Sequence, residues 1–159
     1  TFDGDFRPDK EIIDEAIFMR KLLEKGVLRE ACNEFSEEMF MELEKNLFAQ
    51  KLVLNKDGKE NEFHNLDKEF HKLIFIGCHK INIWESIMKI STHYNRMRLL
   101  SERKTDKALL VKQHEEMLSI IKNKDLDKID EYIEKHIVAP AKEWSKLIND
   151  NEEIRRYLK

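Results

Sequence analysis

The sequence predicts an all-α fold, an antiparallel bundle of about six to seven helices. Glycine and proline are rare: of 159 residues only 4 are Gly and 2 are Pro, where average proteins give those two together roughly 12%. Val and Thr are equally scarce, while Glu, Lys, Leu, Ile and Met fill the chain. Sheets need frequent turn signals and draw on β-branched residues, so an all-β fold is excluded. Apolar residues recur at helical spacing instead of alternating. With 41% hydrophobic residues the chain is neither collagen-like nor disordered.

Residues 1–8 read as a linker closed by Pro8, with Asp9 placed to cap the helical domain that fills 9–159. A first helix is expected from Lys10 to Lys25, with Ile12, Ile13, Ala16, Ile17, Arg20 and Leu23 on one stripe, and Gly26 as its stop. A long second helix follows from Arg29 to Leu54, ended by the Lys56-Asp57-Gly58 turn signal. The pattern then gives a third helix from Asn61 to Cys78, a fourth from Asn82 to Ser101 and a fifth from Thr105 to Asn123. The last starts near Asp125 and runs towards Leu158, with a kink expected at Pro140.

Charge and cysteine usage narrow the function classes. With 29 basic and 32 acidic residues the net charge is −3, which gives the chain as a whole no footprint for wrapping nucleic acid. Its longest apolar run, Leu73 to Cys78, is far too short to span a bilayer. No export signal opens the chain. Cys32 and Cys78 form no motif and read as reduced core thiols. A cytoplasmic protein is expected.

Three helices aim polar groups at the core. Asp67 and His71 are four apart on the third helix, beside the stripe of Phe63, Leu66, Phe70, Leu73 and Ile74. His114 shares a face with Leu110, Met117, Leu118 and Ile121, and His136 follows Ile129, Tyr132 and Ile133. Two readings of this pattern stand side by side. Single inward histidines are commonly hydrogen-bonded core residues, whereas an inward carboxylate among three of them is most simply offset by a cation. Imidazole with carboxylate suits Zn²⁺ first, then Ni²⁺, with Fe or Mn after; it does not suit Ca²⁺ or Mg²⁺. His64 lies seven before His71 but nearer the helix start, and His79 and His93 read as partly exposed.

The run Leu66-Asp67-Lys68-Glu69-Phe70-His71, then Gln113-His114-Glu115-Glu116-Met117-Leu118, then Lys124-Asp125 before His136 resembles the FCD domain. That domain is the effector-binding C-terminal half of FadR-subfamily GntR transcription regulators. The likeness runs from Arg20 to His136 and implies a FadR C-terminal-domain-like bundle whose Asp67, His71, His114 and His136 ligate a divalent metal. Arg20 with Leu23-Glu24 matches part of the family's first-helix motif, with Phe18 where an acidic residue is usual. The resemblance therefore puts Arg20, with Tyr94 and Arg98 on the fourth helix, at the effector, which a guanidinium fork would hold by its carboxylate.

The resemblance further implies a homodimer that reaches DNA only through an N-terminal winged helix-turn-helix, which is absent from this sequence. The expected function is ligand sensing without enzymatic activity: a small carboxylate entering between helices, meeting the metal and altering DNA binding. Two alternatives remain. One is a metal-water hydrolase with Glu69 or Glu115 as general base. The other is a purely structural helical partner protein with hydrogen-bonded core histidines.

Overall fold

A computed structural model describes residues 10–90, 92 and 106–150 of the chain. Among them every regular element is helical, as expected. In chain order they are α1 (Lys10–Asn33), α2 (Glu37–Val53), α3 (Glu60–Gly77), α4 (Ile81–Ile90) and α5 (Lys107–Asn123). A single 3₁₀ turn, Leu126–Lys128, leads into α6 (Ile129–Ile133), a π-helical turn over Glu134–Val138 and α7 (Ala139–Asp150).

The first boundary differs from the one expected. Helix α1 passes straight through Gly26, and the chain breaks only at Glu34-Phe35-Ser36. Gly26 costs the helix roughly 1 kcal/mol, but Glu24, Val27, Leu28, Ala31 and Cys32 are all buried on one continuous face across it. Burial of each large apolar side chain contributes about 1.5–3 kcal/mol, so the stripe wins. The signal that decides the second helix is Ser36: its hydroxyl accepts from the Met39 N–H at 3.1 Å, with Glu37 and Glu38 in the first turn. The 34–36 connection also lays Phe35 over Gly77 near the end of α3, where an added Cβ would sit 2.3 Å from the Phe35 ring.

The remaining boundaries fall close to expectation. Asp106 caps α5 by accepting from the Ala108 N–H at 2.9 Å. Lys124 ends it in the left-handed region at φ 55°. The fourth helix is described from Ile81 to Ile90, and the rest of its expected span lies outside the described residues. Near Pro140 the expected interruption takes the form of the π turn, one helical turn earlier, and the chain stays helical beyond the proline.

Helices α2 and α3 form the most extensive pair, and α1 packs against α3, α4, α5 and the last helix. One core joins them, with Leu28, Leu43, Phe63, Phe70, Ile74, Phe75, Ile87, Met117 and Tyr132 almost fully buried. Ala16 on α1 meets Ala141 on α7 in a smaller cluster with Ile17. Cys32 and Cys78 are free, buried thiols donating to the carbonyls of Ile120 and Val27. Burial pushes both thiols up, Cys78 to about 11. No described helix is long and apolar enough to cross a membrane.

Candidate metal centre

The polar residues of this core are concentrated in one place. Ten polar or charged side chains are buried among the described residues, and at least nine of them belong to a single network. At its centre are Asp67 and His71 from α3, His114 from α5 and His136 from the π turn. Asp67 and His114 are 0% exposed, His71 1% and His136 7%. One ring nitrogen from each of His71, His114 and His136 lies within 4.8 Å of the other two. Asp67 Oδ1 is 2.8 Å from His114 Nε2 and 3.6 Å from His71 Nε2, and His71 and His136 bring their Nε2 atoms to 3.3 Å.

Each imidazole is oriented through its other nitrogen. His114 is held by a relay whose polarity is set by a backbone carbonyl. The Leu66 carbonyl can only accept, so Asn46 donates to it through Nδ2 at 3.0 Å. The Asn46 Oδ1 then accepts from Gln50 Nε2 at 2.7 Å, and Gln50 Oε1 accepts from His114 Nδ1 at 2.7 Å. The Nδ1 of His114 therefore carries a proton, and its Nε2 faces the carboxylate of Asp67. His136 makes the same bond to Gln113 Oε1. His71 donates Nδ1–H to Glu24 Oε1 at 2.9 Å. Phe70 stacks on His114 and Tyr132 on His136, fixing the rings from their faces.

Glu24 is itself anchored by Arg20, whose Nε lies 2.7 Å from Glu24 Oε2. Burial alone would raise the Glu24 carboxyl, but the Arg20 charge and the His71 hydrogen bond overcome it and pull it down to about 2. His71 is under a similar contest. Burial would lower it, yet the hydrogen bonds and charges of Asp67 and Glu24 prevail and raise it.

The donor set fits a divalent transition ion. With all three Nδ1 atoms engaged, the Nε2 atoms of His71 and His114 are turned to Asp67 and that of His136 to His71, and each would supply a lone pair to a bound cation. Ligands about 2.1 Å from a tetrahedral ion lie about 3.4 Å apart, close to the His71–His136 separation of 3.3 Å. Support of each imidazole by a carbonyl or carboxylate on its far nitrogen is the usual surrounding of metal-bound histidine.

The four polar positions expected from the sequence are thus brought together. Arg20 is fully buried beside Glu24, in the same network, and is no solvated surface residue. Tyr94 and Arg98 lie outside the described residues. The roles of Glu24, Asn46, Gln50 and Gln113 escaped the sequence reading. Glu69 and Glu115, the bases a hydrolase would require, are on exposed faces, and Glu115 pairs with Lys51 at 3.5 Å.

An all-helical bundle around a buried cluster of three histidines, with Asp67 beside them, is the arrangement that the resemblance implied. The model of the FCD domain family matches residues 15–139, which include every member of the network, and the chain belongs to that family. It is similar to the HTH-type transcriptional repressor RspR of Escherichia coli (strain K12), with 25% identity over 121 residues, 76% of this chain and 53% of that protein. The HTH-type transcriptional regulator YdfH of Shigella flexneri matches to the same extent. The chain spans about half the length of the curated relatives it matches.

Proposed function

We propose that this chain is the ligand-sensing domain of a transcriptional regulator, holding a divalent transition metal on Asp67, His71, His114 and His136 and a small carboxylate effector at that metal. The observation that carries the reading is the direction of the imidazoles: each Nδ1 is engaged by Glu24, Gln50 or Gln113, so that the Nε2 atoms of His71 and His114 turn to Asp67 and that of His136 turns to His71. Zinc is the first candidate, then nickel, iron or manganese, because nitrogen donors with one carboxylate suit these ions.

The charge of the site supports an anionic ligand. Asp67 and Glu24 carry −2 together and Arg20 +1, so a divalent ion leaves the buried centre at +1, which a monocarboxylate neutralises. Tyr94 and Arg98 are the residues proposed to meet the rest of the effector. Arg20 acts on the site through Glu24. The family and the HTH-type relatives support a regulatory role in which DNA is bound by a separate helix-turn-helix segment; a homodimer, which would suit a symmetric operator, completes the proposal.

The purified chain is expected to carry one equivalent of metal by mass spectrometry, and its melting temperature to rise with members of a hydroxy-acid, dicarboxylate and sugar-acid panel. His114→Ala should lose both responses. A wild-type chain that takes up no metal and melts at the same temperature as His114→Ala would overturn the reading. Sustained turnover of an ester or phosphate would move it to the enzymatic alternative.

A further inference from the structure

His136 reaches the cluster from a turn that is not α-helical. The last helix begins as α6, widens over Glu134–Val138, where the Ala139 N–H bonds to the Glu134 carbonyl five residues back, and resumes as α7. The buried face runs from Ile129, Tyr132 and Ile133 through His136, Ile137 and Val138 to Ala141, so the turn that carries His136 lies inside the core.

The residue four after His136 is Pro140. In a continuous α-helix the carbonyl of His136 would meet the pyrrolidine ring and find no N–H to accept from. Widening the turn removes that conflict, and π turns of this kind recur at functional sites. One extra residue also rotates the following helix by about 100° relative to the preceding one. Two demands are then met together. His136 faces His71 with its Nδ1 on Gln113, while Ala141 packs on Ala16 and Ile17 of α1.

We propose that Pro140 is a positioning residue for the metal centre: by excluding the α-helical register it maintains the π turn that aims His136 at the cluster. Returning an N–H at position 140 lets the turn relax to that register, in which His136 and Ala141 cannot both keep their places. The inference rests on the reading of the cluster as a metal site, but the turn itself is measurable without metal.

The test compares the wild-type chain with Pro140→Ala and with His136→Ala as reference. In Pro140→Ala the metal-free melting temperature should hold or rise, since alanine is far the better helix former. Zn²⁺ affinity, read by competition with a chromophoric chelator, should fall at least tenfold, towards the value of His136→Ala. The visible spectrum of the Co²⁺-loaded protein should show one imidazole fewer. In the metal-free state, the downfield Nδ1 proton of His136 that reports its bond to Gln113 should weaken or vanish.

Wild-type affinity, an unchanged Co²⁺ spectrum and a retained His136 proton signal would overturn the proposal. If Pro140→Ala does not fold, Pro140→Ser, which restores the N–H with less helical preference, makes the same comparison. Failure of both to fold assigns Pro140 to folding alone and also overturns it. If the wild type binds no Zn²⁺, the metal reading fails, while the proton signal still decides whether Pro140 aims His136.

Discussion

A histidine becomes a useful ligand only when its second nitrogen is spoken for, and here that service is rendered by residues from other helices. Gln50 is the clearest case: it fixes the proton of His114 on Nδ1 and transmits a polarity that begins at the Leu66 carbonyl. Gln50→Leu keeps the volume and removes the acceptor, so His114 is free to turn its proton inward. The expected outcome is a 10–100-fold loss of Zn²⁺ affinity, read by chelator competition, with the fold retained by circular dichroism. Glu24 gives a prediction in pH. Its carboxyl lies near 2 in the folded chain against an ordinary 4.5, so the unfolded chain takes up the proton first. The contribution is whole above about pH 5 and is lost as the pH falls towards 2. A shift of that size corresponds to on the order of 3 kcal/mol. In metal-free protein, urea midpoints of the wild type should fall steeply through that window. Glu24→Gln should be less stable at neutral pH, because Arg20 stays buried without its countercharge, and flatter below pH 5. His71, raised in the folded chain, acts with the opposite sign. Its contribution is complete below about pH 6.5 and is lost as the pH rises past its folded value.

At the scale of the elements, three positions share a glycine question and give different answers. Gly26 lies mid-helix, exposed, with nothing within 4 Å of an added Cβ, so Gly26→Ala should stabilise by roughly 1 kcal/mol. Lys124 closes α5 at φ 55°, a conformation that costs an L-residue about 1 kcal/mol and glycine almost nothing. Lys124→Gly should therefore raise stability by a similar amount. Gly77→Ala should lower it, because the Phe35 ring occupies the space of the methyl group. Thermal melts of the three variants check all the signs, and no change at Gly77 would mean that Phe35 moves aside at little cost. The same positions show what was legible in the sequence. The periodic stripes gave α3 and α5 nearly to the residue, and with them the inward Asp67, His71 and His114. Gly26 misled because glycine marks a helix end only when the apolar stripe stops with it, and here Val27, Leu28 and Ala31 carry the stripe on. The partners of the histidines were illegible for a different reason. Gln113 precedes His114 by one residue, so on its own helix it faces elsewhere, and it serves a histidine from another element. Pro140 announced an interruption, but not that the interruption would be a wider turn at His136.

Across the whole molecule, the network ties together parts that are distant in sequence. Glu24 links α1 to α3, Gln50 links α2 to α5, and Gln113 links α5 to the last helix. A metal at the centre would add direct bonds among α3, α5 and the π turn. The consequences differ from helix to helix. Helices α2 and α3 hold each other through Leu43, Leu47, Phe63, Phe70 and Ile74, packing that needs no ion. Helix α7, by contrast, meets α1 through the small Ala16–Ala141 contact and continues directly from the turn that carries His136. Removing the metal should therefore loosen the two ends of the bundle unequally. With free Zn²⁺ a hundredfold above its dissociation constant, binding stabilises the fold by about 2.7 kcal/mol, so chelation should lower the melting temperature by roughly 5–10 °C for a chain of this size. Hydrogen exchange should localise the change: amides from Glu134 to Asp150 gain exchange at least tenfold after chelation, while those of α3 between Phe63 and Phe75 change little. A uniform rise in exchange would mean that the metal stabilises the fold only globally. A confined rise makes the last helix, which packs on α1 through Ala141, the element whose order reports occupancy of the site.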